Sequence, residues 1–189
     1  MEPLQSEKRL VTRFKAGDVS AFEAIMKHYD PYVMGLALRM TGNRAAAEDV
    51  CQEVFLKVLK GLGRFKGGSG LKTWIFRICH NAVVDYVRSS KADGRPIEEI
   101  SETVMEQAGE VASPIQTIEE GQLREEVQRA MSTLPPLPRE VLHLYYWNQL
   151  SVNEIGKTMR LPEGTVKTHL FRGRKALRET ISQSSGEMP

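Results

Sequence analysis

Two cysteines and four histidines are the residues of this chain best suited to covalent or metal chemistry. Cys79 and His80 are adjacent, so a helix would send them to different faces, and Cys51 falls among apolar neighbours. No Cys/His pair has the spacing of a zinc site. No glycine-rich phosphate cradle precedes a Lys-Ser/Thr pair. These residues predict no metal, no cofactor and no catalysis by the chain itself. Recognition chemistry is better supplied. From Gly164 to Arg178 there are five cations, Lys167, Arg172, Arg174, Lys175 and Arg178, and no acid. Lys167, Thr168 and Phe171 lie on the helix face away from Val166 and Leu170, near its start, where such helices reach base edges. Phe171 can meet a thymine methyl, and Lys167 or Arg172 can take guanine edges or phosphates.

A residue reads a groove only if the elements before it hold it there. Ser151 with Glu154 spells a capping box opening a short helix through Ile155 to Met159. Arg160-Leu161-Pro162 makes a tight connection, and the basic helix follows with Val166, Leu170 and Leu177 inward. That pair is a helix-turn-helix candidate. Upstream, Leu123, Val127, Ala130, Met131 and Leu134 mark a helix closed by Pro135-Pro136. Pro138 then sits in the first turn of a helix with Val141, Leu142, Leu144 and Tyr145.

The first half is helical by the same period. Ser20 with Glu23 reads as a capping box, followed by Phe22, Ile25, Met26 and Tyr29 on one face. Pro31 is expected to break the register before Val33, Leu36, Ala37 and Met40 repeat it. Gly42-Asn43 combines a stop with a new N-cap. Ala47, Val50, Cys51, Val54, Phe55, Val58 and Leu59 then form one inward stripe, ended by Gly61 and Gly63. After Lys66-Gly67-Gly68-Ser69-Gly70, a fourth helix holds Leu71, Trp74, Ile75, Ile78, Ala82 and Tyr86. No window alternates with period two, so the expected fold is all-α.

The 189 residues allow one large domain or two small ones, and 41% apolar with 26% charged residues excludes wholesale disorder. Residues 1–95 hold 16 basic and 10 acidic side chains, a balance of +6. Residues 96–126 hold one Arg and nine Glu, −8, and residues 127–189 hold nine basic and five acidic, +4. Two basic bodies tethered by an acidic strap suit an anionic partner that repels the tether. Met1 to Leu10 is charged and does not read as a secretory signal, and no apolar run approaches a membrane span. Two cysteines fit a reducing compartment, so the expected location is cytoplasmic and without membrane insertion.

Three strings in register resemble one family. Ala47-Glu48-Asp49-Val50-Cys51-Gln52-Glu53-Val54-Phe55-Leu56 is similar to the core-polymerase-binding segment of bacterial sigma factors. Phe65-Lys66-Gly67, then Lys72 to Ile78, Asn81 and Asp85 to Arg88 resemble the segment after it. Glu154-Ile155, Pro162 to Thr168 and Arg172-Gly173-Arg174 resemble the last sigma region. Order and spacing resemble the extracytoplasmic-function (group four) sigma factors, which keep only regions two and four.

The resemblance implies region two over 1–92, an acidic linker over 93–119, region four over 120–182 and a tail over 183–189. It implies that the chain binds core RNA polymerase, through a coiled coil of the largest subunit and the flap region, and promoter DNA, duplex and melted. An anti-sigma factor is a further partner common in the family. Asp49, Gln52, Glu53 and Leu56 would face the coiled coil; they stand at i, i+3, i+4, i+7, opposite Val50, Val54 and Val58. Phe65, Lys66, Gly67, Gly68, Ser69 and Asn81 would take a flipped base of the minus-ten element, with Lys72, Arg77 and Arg88 on phosphates. Trp74 would stack at the duplex edge, although it shares the Leu71–Ile78 stripe and reads equally as core. Thr165, Lys167, Thr168, Phe171, Arg172 and Lys175 would meet the minus-thirty-five element. Gly68 stands where an acidic residue is common, His169 where an arginine is frequent, and Gly156 where an alanine is usual. The competing reading is a helix-turn-helix regulator that never touches polymerase.

Overall fold

The computed structural model describes residues 7–92 and 118–185, and there it is helical without a strand. Four helices form the first module: α1 (Glu7–Lys15), α2 (Val19–Thr41), α3 (Arg44–Leu62) and α4 (Leu71–Ala92). Four more form the second: α5 (Ile118–Thr133), α6 (Pro136–Tyr146), α7 (Val152–Met159) and α8 (Glu163–Ser185). The acidic connector lies outside the described residues up to 117, and α5 begins two residues inside its expected span. The last helix runs on to Ser185, into the expected tail.

Pro31 does not break anything: α2 is continuous from Val19 to Thr41 with the proline inside it. An internal proline costs about 3 kcal/mol through a lost hydrogen bond and a clash with the preceding turn. Tyr29, Val33 and Leu36 stand on either side of it at helical spacing and are completely buried. At about 1.5–3 kcal/mol for each large apolar side chain removed from water, their burial exceeds that cost. The helix also starts earlier than expected. Its cap is Asp18, whose carboxylate accepts from the Ser20 backbone N–H at 3.0 Å and the Ser20 hydroxyl at 2.6 Å. A carboxylate also takes Arg13 at 2.7 Å, which ties α1 to the cap, so the aspartate wins the position from Ser20.

The α2–α3 junction follows the sequence closely. Gly42 adopts φ 71°, a left-handed conformation that suits glycine, and Asn43 accepts from the Ala46 N–H at 3.0 Å. Ala47, Val50, Cys51, Val54, Phe55 and Val58 of α3 are buried, and Leu62 completes the stripe. Leu59, expected inward, is 39% exposed. On α4 the buried apolar positions are Leu71, Ile75, Phe76, Cys79, Ala82 and Val83, while Trp74, Ile78 and Tyr86 are half-buried.

In the second module Ser151 and Glu154 form the expected capping box, with the serine hydroxyl and the glutamate each meeting the other's backbone N–H. Arg160 closes α7 at φ 57° and α8 turns back across it. Gly156 has a reason beyond tolerance. A Cβ there would stand 2.8 Å from the Leu161 carbonyl oxygen, a backbone atom that cannot swing away. The two modules touch: α4 packs on α7, and α2 packs on α6.

Candidate nucleic-acid interface

The α3 face predicted for a partner is outward. Asp49, Gln52 and Glu53 are exposed, and Leu56 is 49% exposed between them and the solvent. Glu53 pairs with Lys57 at 2.5 Å and Glu48 with Arg44 at 2.9 Å, both on the surface, where such pairs contribute little. Beside this face runs an open apolar groove between α2 and α3, walled by Phe22, Met26, Met34, Phe55, Leu56 and Leu59. Asp30, Glu48 and Gln52 rim it. Met26 and Leu59 fall on the inward stripes of their helices, yet both are exposed. The stripe is wider than the contact, and helical period alone does not say where a neighbour ends.

A second cavity forms where α3, the glycine-rich loop and α4 meet. Phe65 and Trp74 face each other with ring centroids 5.0 Å apart at 43°. The Trp74 ring lies so close over Gly61 that a Cβ there would be 2.9 Å from it. The two readings of Trp74 therefore meet in one residue, which packs on α3 by one edge and lines a cavity by another. Lys15 of α1 donates to the Phe65 carbonyl at 2.6 Å and holds the loop's entry. Gly67, at φ 75°, turns the loop in a conformation that side chains resist. Lys66, Gly67, Gly68 and Ser69 line the cavity, together with Arg77. Arg64 and Lys157 join them, the latter from α7, and neither was singled out in the sequence. Four cations and no carboxylate line this space, an environment for an anionic or polar ligand. Asn81 is not among the lining residues; it is half-buried one helical turn beyond Arg77. Arg88 lies exposed two further turns on, beside Asp85 at 3.7 Å. Lys72 turns instead toward the second module, to the Gln149 carbonyl oxygen at 2.8 Å.

The third surface is the start of α8. Lys167, Thr168, Arg172 and Lys175 are exposed, Thr165 is half-buried, and Phe171 is 69% exposed, an unusual cost for a phenyl ring without a partner. Thr168 spends its hydroxyl proton on the Gly164 carbonyl at 2.9 Å. Glu163 accepts from Asn153 at 2.7 Å, which pins the start of α8 against α7. Arg174 is committed elsewhere: it donates to the Tyr146 hydroxyl at 2.8 Å and lies over Tyr145 and Tyr146, fastening α8 to α6. Gly173 packs against Leu142. The basic run therefore divides into an outward set and one structural arginine.

Both cysteines are free thiols buried in the first module. Burial, with Asp30 and Glu48 nearby, pushes the Cys51 thiol up to about 12, and complete burial raises Cys79 further above its ordinary value. No group of three potential metal ligands stands together among the described residues.

An all-helical pair of modules, one ending in an exposed basic helix-turn-helix, defines a class of DNA-binding transcription protein. Family models make it specific: "Sigma-70 region 2" matches residues 25–92 and "Sigma-70, region 4" matches residues 124–177. The chain is 32% identical over 179 residues to the ECF RNA polymerase sigma factor SigW of Bacillus subtilis, covering 92% of this chain and 96% of that one. It is 30% identical over 177 residues to the ECF RNA polymerase sigma-E factor of Escherichia coli K12, covering 91% and 92%. The chain belongs to the extracytoplasmic-function sigma factors. It is thus the subunit with which core RNA polymerase finds and opens a promoter. Its fold is that of CnrH solved with the cytosolic domain of CnrY, at a TM-score of 0.68, 18% identity and coverage of 94% and 97%. RpoE of Bartonella quintana, solved with the anti-sigma factor NepR, gives 0.66, 19% identity and coverage of 85% and 96%.

Proposed function

We propose that the three surfaces divide the sigma factor's work among named residues. Asp49, Gln52, Glu53 and Leu56 dock a basic, amphipathic helical element of core polymerase, and the groove with Met26 and Leu59 takes its apolar side. The cavity at Phe65 and Trp74 receives an unstacked base of the melted minus-ten strand, with Arg64, Lys66 and Arg77 toward phosphates and Asn81 toward a base edge. The α8 start reads the minus-thirty-five duplex through Lys167, Thr168, Phe171 and Arg172, with Thr165 and Lys175 on the backbone. Nucleotide chemistry belongs to the polymerase. The chain works in the cytoplasm, where its template is, and no helix among the described residues is long and apolar enough to cross a membrane. CnrH was solved with the cytosolic domain of CnrY and RpoE with the anti-sigma factor NepR, and a protein partner that covers the α2–α3 groove is the expected regulator of this chain.

The observation that carries this reading is the outward-facing α3 patch, with Leu56 exposed among acids and Phe171 exposed among bases at the far module. Run-off transcription with purified core polymerase on promoters selected from a random pool tests it. Specific transcripts that require this chain are expected. Loss of those transcripts on Asp49→Arg, with the melting curve unchanged, is expected too; full activity of that variant would refute the docking assignment.

A further inference from the structure

The cavity at Phe65 and Trp74 measures about 480 Å³, within the range of about 300–1,000 Å³ that small-ligand sites occupy. Its charge exceeds what one nucleotide of a melted strand can answer. Arg64 and Lys66 from the loop, Arg77 from α4 and Lys157 from α7 line it, with no carboxylate among them. Each nucleotide of a strand brings a single phosphate charge, and the next lies farther along the backbone. Four cations around one base-sized space suit a ligand that concentrates its charge on one short chain.

Hydrogen-bond donors remain to meet such a chain. Arg77 donates Nε to the Lys157 carbonyl oxygen at 3.1 Å, which leaves its terminal N–H groups for a ligand. The described backbone hydrogen bonds use none of the N–H groups from Lys66 to Gly70, the kind of donors that cradle phosphate oxygens in glycine-turned loops. Gly68 keeps the wall open: a Cβ there would meet nothing within 4 Å, so the packing of the chain does not itself call for glycine. Phe65 and Trp74, with centroids 5.0 Å apart, already touch and admit no base between them. A base therefore stacks on an outer ring face, and both side chains are only half-buried.

We propose that this cavity binds a free nucleoside polyphosphate, its base on the Phe65–Trp74 pair and its phosphate chain among Arg64, Lys66, Arg77 and Lys157. No carboxylate stands in the lining to hold a magnesium ion, so the phosphate oxygens meet the cations directly. Ligand and flipped base claim the same rings, so a filled cavity holds back promoter opening and couples initiation to the nucleotide pool. That consequence rests on the assignment of the cavity to the minus-ten strand; the binding itself does not.

The test is fluorescence anisotropy of methylanthraniloyl-labelled ATP and GTP with the full chain, in EDTA, with unlabelled competitors. Saturable binding is expected, and unlabelled ATP or GTP should compete about tenfold better than inorganic tripolyphosphate, the share of one base stacked on an aromatic ring. Gly68→Asp adds a carboxylate to the wall and Gly68→Asn the same shape without charge. The Asp variant should bind about fivefold more weakly than the Asn variant. Lys157→Ala should also lose about fivefold, while Lys8→Ala, an exposed cation on α1 away from the cavity, should lose nothing. Absence of binding overturns the proposal. Tripolyphosphate competing as well as ATP and GTP, or Lys8→Ala losing as much as Lys157→Ala, overturns it too, since either means attraction to surface charge alone. A short single-stranded oligodeoxynucleotide that displaces the labelled nucleotide supports one shared site. If it binds the chain yet fails to displace the nucleotide, the nucleotide site stands and the minus-ten assignment of the cavity falls. If the oligonucleotide binds through Arg77 while neither nucleotide binds, the strand is the cavity's ligand and this proposal falls instead.

Discussion

His143 gives the sharpest test of the packing between α2 and α6. It is buried, stacked on Trp147 at 5.5 Å and 28°, and close enough to Arg39 to feel its charge. Burial first, and the Arg39 charge second, hold its imidazole well below the usual histidine range. The native ring therefore stays neutral while the unfolded ring titrates near its ordinary value of about 6.5. Between those two values the unfolded chain binds a proton that the native chain refuses, so stability falls as the pH drops. With the native ring binding no proton across pH 7.5 to 5.5, the loss over that range is about 1.4 kcal/mol from this residue. His143→Phe keeps an aromatic ring against Trp147 and removes the titration. Urea denaturation of both proteins across that range should show the wild type losing about 1.4 kcal/mol more than the variant. His28, whose burial also lowers its pKa, is common to both and cancels in the difference. Parallel pH profiles would refute the reasoning, because they would mean that His143 can take its proton in the native state.

Asp49→Arg should remove co-elution with core polymerase on size exclusion while urea unfolding stays within about 0.5 kcal/mol, since the residue is exposed and far from the core. Lys167→Ala should relax one upstream base position by about 1–3 kcal/mol in competition binding if it reads a base edge; a uniform loss across sequences would assign it to phosphate. Gly156→Ala should destabilise, although alanine favours a helix by about 1 kcal/mol over glycine. The clash with the Leu161 carbonyl at 2.8 Å opposes that gain, and a raised melting temperature would show that the α7–α8 turn relaxes cheaply. Glu154 is held ionised against its burial by Ser151, Thr73 and Lys72. Its carboxyl lies below the ordinary range, so the stability it contributes is present above about pH 4.5 and lost as the pH falls through the lower native value. Glu154→Gln should flatten the acid limb of the stability profile.

Much of the site was legible because its residues act through local rules. Capping at Asn43 and Ser151, the αL stop at Gly42 and the buried stripe of α3 depend on side chains within one turn, and they stand as the spacing says. The outward set on α3 and α8 follows from the same periodicity, by complement. Where the structure departs from the spacing, the deciding contact lies outside the turn concerned. Pro31 sits inside a helix because packing on both sides outweighs it, and Asp18 takes the cap from Ser20 because Arg13 steadies it. Leu59 and Met26 are exposed because they line the open groove between α2 and α3 and have no helix over them.

The sequence by itself determined two helical modules of opposite charge to their tether, the family to which they belong, and the faces those helices turn outward. Period, caps and charge are properties of short segments, and short segments are what a chain specifies directly. Only the tertiary structure decided that Lys72, Thr73, Arg77 and His80 meet Gln149, Glu154, Lys157 and Glu140, residues 60 to 81 positions away. Such pairings depend on how two finished surfaces fit, and no local period encodes that fit.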